Sequence, residues 1–329
     1  MVLESYGKIN DSSLNLRNVD IPKPGKHELL VKVNFSGVCH TDLHVIEKEL
    51  PMEKLPIVPG HQIAGIVAEL GSQVRNFEKG DRVGVTWLNS TCGKCEFCRS
   101  GKENLCENAR FTGYSVNGGF AEYLLVDNDF AFKIPDEFDD EHAAPLFCAG
   151  IIGYRAFKLA NLQKNQTLAI FGFGASGHII AQIAEYFENE LLVFTRSKEH
   201  QKLAKKYGAV WTGEPYEEPI EKADAVIITA PVGELVIEAL NNTKRGGRVA
   251  IQDIYMSNIP PIDYNKFLYY ERWIGSVTNY TRKDAKEFLH LASEIPIKTQ
   301  IKRFRLEDAN KALVMLKSGR IEGAGVLKI

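Results

Sequence analysis

Short apolar runs alternating with polar residues dominate the chain from residue 1 to about residue 145. Leu29–Val33, Ile63–Glu69, Arg82–Val85 and Phe120–Val126 are the clearest of them. Pro22-Lys23-Pro24-Gly25 and Lys79-Gly80-Asp81 supply turns between the runs, so this stretch reads as an irregular β-rich domain. The texture then changes. Strand-like runs Leu168–Phe171, Leu191–Thr195, Ala225–Thr229 and Arg248–Ile251 alternate with longer helical segments, the pattern of βαβ units around a parallel sheet buried on both faces. Asp284–Ser293 reads as a helix, followed by a turn around Pro296, a β-like Ile301–Leu306, a helix over Leu306–Ser318 and a short apolar strand, Gly325–Ile329. These last elements need a surface to dock on, and the first domain is the natural host. The expected division is a discontinuous β-rich domain, 1–148 and 284–329, and a doubly wound α/β domain, 149–283.

Gly172-Phe173-Gly174-Ala175-Ser176-Gly177 follows the run Leu168–Phe171 and opens a helix whose apolar positions are Ile179, Ile180, Ile183 and Phe187. In a dinucleotide-binding unit the first glycine makes the tight turn, the second admits the pyrophosphate, and the third lets helix and strand pack closely. The helix N-terminus then offers N–H groups and a positive dipole end to the phosphates. A nicotinamide cofactor is expected at Gly172, Gly174, Ala175, Ser176 and Gly177. An NAD site places a carboxylate at the end of the second strand, against the ribose hydroxyls. Here that strand ends Phe194-Thr195-Arg196-Ser197, with no carboxylate before Glu199. Arg196 would attract a 2′-phosphate and Thr195 and Ser197 could hydrogen-bond it, so NADP(H) is expected in preference to NAD(H). Thr229-Ala230-Pro231-Val232-Gly233 ends another strand, and Ala230 and Val232 are expected to present backbone groups to the nicotinamide amide.

Cysteine spacing changes the picture further. Cys92, Cys95, Cys98 and Cys106, a lobe of about residues 90–108, have the grammar of a closed tetrahedral zinc site; a disulfide, a redox-labile loop or an iron–sulfur cluster would use similar spacing. The two remaining cysteines are Cys39 and Cys148. With His61 they are the candidates for an open zinc site of three protein ligands and one exchangeable position, chosen by local context rather than by spacing. Two Zn²⁺ per chain are therefore expected.

Bulk numbers exclude more than they assign. The chain has 329 residues, 44% hydrophobic and 25% charged, which suits a globular enzyme of two domains. A net charge of −2 gives no electrostatic footprint for nucleic acid or an anionic membrane. Leu168–Ala184 is the nearest approach to a membrane span and is interrupted by Gly, Ser, His and Gln. The opening residues lack a basic region followed by an apolar run, and clustered thiols fit a reducing interior, so cytoplasm is the expectation.

Seven stretches in register resemble the zinc-containing alcohol dehydrogenases of the medium-chain dehydrogenase/reductase superfamily. They are GVCHTDLH (37–44), PGHQIAGIV (59–67), GDRVG (80–84), the four-cysteine lobe, GGFAEY (118–123), CAGIIGYRA (148–156) and GFGASG (172–177). The resemblance implies a GroES-like domain holding both metals, a Rossmann cofactor domain and an active site in the cleft between them. It implies reversible oxidation of small alcohols to aldehydes or ketones, with a polyol or other carbonyl reductase, or a non-catalytic redox sensor, as alternatives. A homodimer or homotetramer is implied too.

Carried over residue by residue, Cys39, His61 and Cys148 are the catalytic zinc ligands and the lobe is structural. Asp42 orients a metal-bound imidazole or caps its helix. Thr41 bonds the alcohol oxygen in the substrate pocket, and His44 ends a proton relay at solvent. His40 is a cofactor contact, and Trp87 lines the substrate pocket or belongs to the core. Two positions depart from the family: Gln62 stands where Glu is usual, and Ala324 fills the slot of a pyrophosphate-binding Arg.

Overall fold

The computed structural model describes residues 1–51, 54–295 and 297–329; the turn expected at Pro296 lies outside them. The chain divides into two compact units. One comprises Met1–Cys148, Asn279–Ser293 and Thr299–Ile329, the other Ala149–Thr278 and Glu294–Lys298.

In chain order the first unit begins with β1 (Glu28–Val38), α1 (His40–Ile46), β2 (Gln62–Leu70), β3 (Arg82–Val85) and β4 (Leu88–Ser90). Then come α2 (Glu96–Arg99), β5 (Arg110–Phe111), β6 (Tyr123–Asp127), β7 (Ala131–Lys133) and α3 (Asp140–Ala143). Strand β1 is the hub, pairing antiparallel with both β2 and β6. Its Leu29, Leu30, Val31 and Val33 are buried while Lys32 stays in solvent, as a strand with neighbours on both edges and cover over most of its length requires.

The second unit contains α4 (Ala149–Ala160), β8 (Thr167–Phe171), α5 (Ala175–Tyr186), β9 (Glu190–Phe194), α6 (Lys198–Lys206) and β10 (Ala209–Gly213). It continues with β11 (Ala223–Ile228), α7 (Glu234–Asn241), β12 (Thr243–Ile251) and β13 (Trp273–Ser276). All six strands pair in parallel in the order β10-β9-β8-β11-β12-β13. Within the unit this is the order 3-2-1-4-5-6 of a dinucleotide-binding sheet, whose switch point lies between β8 and β11. Every residue of β8 is buried, as a strand covered on both faces requires.

The return to the first unit comprises α8 (Arg282–Glu294), β14 (Ile301–Arg305), α9 (Ala309–Lys317) and β15 (Ala324–Lys328). Strand β15 lies antiparallel on β1, from Phe35 opposite Lys328 to Val38 opposite Gly325, and β14 pairs parallel with β15. The last strand thus begins its pairing beside Cys39, at Gly325.

Several expectations are corrected. Phe120–Glu122 precede β6 instead of belonging to it, and the helix expected over Leu306–Ser318 splits into a 3₁₀ turn, Leu306–Asp308, and α9. Ile179, Ile180 and Ile183 are fully buried, but Phe187 caps the end of α5 at 40% exposure, stacked on Phe157. The short edge strands β10 and β13 had no apolar run to mark them, because an edge strand leaves residues such as Val210 and Trp273 half in water.

Gly84 of β3 lies against the ring of fully buried Phe147, where a Cβ would come within 1.9–2.1 Å of ring atoms. Gly84→Ala must therefore displace the residue that precedes Cys148, at a cost of about 1–3 kcal/mol. A lowered urea midpoint with unchanged slope is the expected result; a wild-type midpoint would contradict this packing.

Candidate active site and metal centres

Cys39 is the N-cap of α1, and the Asp42 carboxylate reaches back to accept from the Cys39 N–H at 2.9 Å. The same carboxylate accepts from Gly60 N–H at 3.2 Å and from His61 Nδ1 at 3.0 Å. Asp42 therefore both caps the helix and orients the imidazole. Gly60 has φ +95°, and its Cα lies tight against Phe120, so the turn that delivers His61 requires glycine. Cys148 follows a 3₁₀ turn, Ala144–Phe147, all of whose residues are buried.

These segments bring Cys39, His61 and Cys148 together, with one ligand atom from each within 4.8 Å of the others. His61 is fully buried, and its Nε2 has no hydrogen-bond partner among the described residues. With Nδ1 committed to Asp42, a buried nitrogen lone pair faces two sulfurs, which is the donor set of a three-ligand zinc site. The residues fit the metal. Without it, burial pulls the His61 imidazole down, but the Asp42 carboxylate and the neighbouring Cys39 thiolate outweigh burial and raise it to about 10. The bond from Cys148, with help from His61, holds the Cys39 thiol well below its usual value, and the hydrogen bond to Cys39 and burial push Cys148 well above its own.

Around this cluster, Thr41 Oγ1 lies 3.8 Å from Cys39 Sγ. Trp87 belongs to the buried core of the unit. It is 9% exposed, stacked on Phe111 and Tyr114, and its ring meets His61 edge-to-face at 5.2 Å between centroids. Gln62 opens β2 buried, with its Oε1 lacking a partner among the described residues. Ala324 is buried at the start of β15.

The expectation that His44 meets solvent directly is corrected. It is 5% exposed and its Nδ1 is 2.6 Å from Glu49 Oε2, because the C-terminal turn of α1 folds back over it. Glu49 carried no motif, and five residues of separation gave no signal for the pairing. His40 begins α1 and is exposed.

Cys92, Cys95, Cys98 and Cys106 form the second cluster, ligand atoms again within 4.8 Å. All six cysteines are free thiols. Cys92 Sγ is 3.9 Å from Cys98 Sγ and 3.5 Å from Cys106 Sγ, near the ~3.8 Å edge of a tetrahedron with 2.3 Å zinc–sulfur arms. Backbone N–H groups of Cys95, Cys98 and Cys92 point at the sulfurs of Cys92, Cys95 and Cys106 respectively, at 3.4, 3.4 and 3.5 Å. Such donors favour thiolate: N–H groups of Lys94 and Cys95 draw Cys92 down to about 6, whereas burial raises Cys106 to about 11.

In the second unit Gly172 has φ +97°, and Thr229 Oγ1 donates to the carbonyls of Phe171 and Gly172 at 3.3 and 3.2 Å. A Cβ on Gly174 would meet nothing within 4 Å, so the side a phosphate would approach is open. A Cβ on Gly177 would press on the Gly172 carbonyl and the Phe173 ring at 3.1 Å. Ala175 and Ser176 form the first turn of α5, where N–H groups lack intrahelical partners. Buried His178, pulled down to about 4 by burial and therefore neutral, hydrogen-bonds the Gly174 carbonyl at 3.0 Å. Gln252, which no motif marked, donates from Nε2 to Ser176 Oγ at 2.7 Å.

Thr195 is buried beyond β9, and Arg196 is exposed. The Ser197 hydroxyl accepts from His200 N–H and donates to Glu199 at 2.8 Å, so it already serves the cap of α6. Val232 N–H donates to the Ala230 carbonyl at 2.8 Å, which uses one of the backbone groups expected to face a nicotinamide.

Comparison with known proteins agrees with this geometry. Residues 25–136 match the alcohol dehydrogenase GroES-like domain, and residues 152–244 match the NAD-binding domain of D-isomer specific 2-hydroxyacid dehydrogenases. The chain is 42% identical to a probable alcohol dehydrogenase of Mycobacterium tuberculosis, over 98% of this chain and 95% of that protein. It is 36% identical to an alcohol dehydrogenase of Geobacillus stearothermophilus, over 100% and 98%. Among solved structures, a cinnamyl alcohol dehydrogenase of Sorghum bicolor superposes with a TM-score of 0.91 at 25% identity, covering 100% and 98%.

Asp42 generates a prediction with a sign. Raised above the unfolded value of about 6.5, the His61 imidazole stabilises the metal-free protein fully below that pH, and the contribution is lost as pH rises through about 10. Asp42→Asn should remove much of this pH dependence from metal-free unfolding curves. It should also weaken zinc retention by 10–100-fold at one of two sites, read by competition with a chelator. Wild-type retention at both sites would contradict the role given to Asp42.

Proposed function

We propose a reaction scheme for this chain, which belongs to the medium-chain family of zinc-containing alcohol dehydrogenases, in which Cys39, His61 and Cys148 hold the catalytic zinc. The enzyme is an oxidoreductase that oxidises small alcohols reversibly to aldehydes or ketones with a nicotinamide cofactor. The observation that carries the scheme is the buried His61 Nε2 without a hydrogen-bond partner among the described residues, beside two sulfurs. When bound, zinc supplies a Lewis acid worth on the order of 10 kcal/mol toward alcohol deprotonation, and the nicotinamide supplies the hydride acceptor.

The chain's own groups do the rest. Asp42 fixes the His61 tautomer through Nδ1, so Nε2 presents its lone pair. The Thr41 hydroxyl, beside Cys39, accepts the hydrogen bond of the substrate alcohol. His44 takes up the proton that leaves. Trp87 walls the His61 side with an apolar ring and keeps water away. The four-cysteine lobe holds a second, structural zinc, for which binding and folding are one event.

On the cofactor side, Gly172, Gly174, Ala175, Ser176 and Gly177 bind the pyrophosphate, and His40, Ala230 and Val232 are further contacts. Arg196 and Thr195 at the end of β9 favour NADP(H) over NAD(H); the only carboxylate close behind them, Glu199, is engaged by Ser197. Six free thiols gathered at two metal-binding clusters favour a reducing compartment, the cytoplasm. The exposed edge strand β13 is a surface for a homodimer or homotetramer.

A panel of alcohols and aldehydes, assayed with both nicotinamide cofactors before and after chelation, tests the scheme. Metal analysis should give two zincs per chain, one removed more readily with loss of turnover. NADP(H) should be preferred, and Arg196→Ala should erase the preference. A preference for NAD(H) of about tenfold, some 1.4 kcal/mol, would overturn the Arg196 assignment.

A further inference from the structure

Gln252 follows β12 directly, and its N–H donates to the Ile228 carbonyl at 3.0 Å, which fixes its backbone at the carboxyl end of the sheet beside β11. Its Nε2 donates to Ser176 Oγ at 2.7 Å, so the carboxamide lies against the first turn of α5. The other end of the amide, Oε1, is buried and has no hydrogen-bond partner among the described residues. A carbonyl oxygen taken out of water without a donor is costly, and such an atom calls for a partner. Neighbouring polar groups are engaged inside the protein. The Thr229 hydroxyl bonds the Phe171 and Gly172 carbonyls, the Val232 N–H bonds the Ala230 carbonyl, and the Gly233 N–H bonds Ser257 Oγ at 2.8 Å. Gln252 Oε1 is thus an acceptor held ready at the strand ends, where an open α/β sheet takes its ligand.

Topology decides which part of that ligand it meets. Strand β8 has β9 on one side and β11, then β12, on the other, and each half of such a sheet serves one mononucleotide. Thr195 and Arg196, the adenosine side in the scheme above, lie past the end of β9. Gln252 stands in the opposite half.

We propose that Gln252 binds the nicotinamide half of the cofactor: held by Ser176, it offers Oε1 to an N–H of the carboxamide or an O–H of the adjoining ribose. The proposal rests on the reading of residues 172–177 as the pyrophosphate turn and adds to it a side chain that touches only one end of the ligand. Ser176 then has two tasks, a backbone N–H at the start of α5 for phosphate and a hydroxyl that orients the amide. The helix turn that receives the pyrophosphate also aligns the ring that accepts hydride, which is the positioning this reaction needs.

Calorimetric titration of the full-length zinc-loaded protein, without substrate, tests this with three ligands: the preferred nicotinamide cofactor, ADP-ribose and ADP, the last two carrying the 2′-phosphate if NADP(H) is preferred. Gln252→Met, close in shape and lacking the acceptor, should weaken the whole cofactor about tenfold and ADP by less than about twofold. ADP-ribose, which keeps the ribose and lacks the carboxamide, should follow the cofactor if the ribose is the donor and follow ADP if the carboxamide is. Ser176→Ala, which frees the amide and keeps its carbonyl, should weaken the whole cofactor by about threefold and spare ADP, and it decides the matter if Gln252→Met does not fold. Wild-type affinity for the whole cofactor in these variants, or an equal loss with ADP, would overturn the role of Gln252 and leave the glycine turn standing. If the wild-type protein binds neither the cofactor nor ADP, the reading of the turn falls and the proposal with it.

Discussion

One buried carboxylate organises the first unit. Asp42 is 1% exposed, and its two oxygens accept from Cys39 N–H, Gly60 N–H and His61 Nδ1. A carboxylate in that position is tolerable only because each bond replaces water lost on burial. Those bonds join the start of α1 to the turn that precedes β2. The helix cap, the glycine turn and the tautomer of His61 are therefore settled by the same group. Removing it would leave three donors buried without an acceptor, which is why its influence extends beyond the histidine it touches.

The charge balance around it explains the choice of side chains. The three groups are linked electrostatically: against the pull of burial, Asp42 and Cys39 raise the His61 imidazole to about 10, the bond from Cys148 holds the Cys39 thiol low, and the bond to Cys39 together with burial pushes Cys148 up. Two thiolates and one dication would sum to zero, and Asp42, which bonds the imidazole, adds one negative charge. A carboxylate at residue 62 would add a second; Gln62 adds none.

Legibility in the sequence followed burial. Strands covered on both faces, such as β8 and β11, announced themselves as continuous apolar runs, and β3 did so within its four residues. Edge strands did not, because β10 and β13 mix exposed and half-buried positions. The cysteine lobe and the glycine turn were legible because their residues are near neighbours in the chain at motif spacing. Cys39, His61 and Cys148 were chosen by local context and supported by the family resemblance, since spacing cannot link three segments that only folding brings together. Glu49 and Gln252 carried no signal for a related reason: one meets its partner through a helix cap and the other, just past β12, meets the first turn of α5, contacts that leave no period in the sequence.

The cysteine lobe also reaches beyond its own fold. Glu103, between Cys98 and Cys106, is 4% exposed and accepts from both N–H and Nε of Arg282, whose guanidinium also pairs with Asp129 and lies over Phe130. Two residues earlier, Tyr280 is fully buried, its hydroxyl bonded to Thr86 and the Leu88 carbonyl. Thr86 and Leu88 flank Trp87, whose ring edge faces His61. Disorder in the lobe would free Glu103, leave Arg282 without its buried partner and loosen the segment that carries Tyr280. The wall beside His61 is thus braced by the lobe that carries the four cysteines, so the order of that lobe bears on the packing around the imidazole.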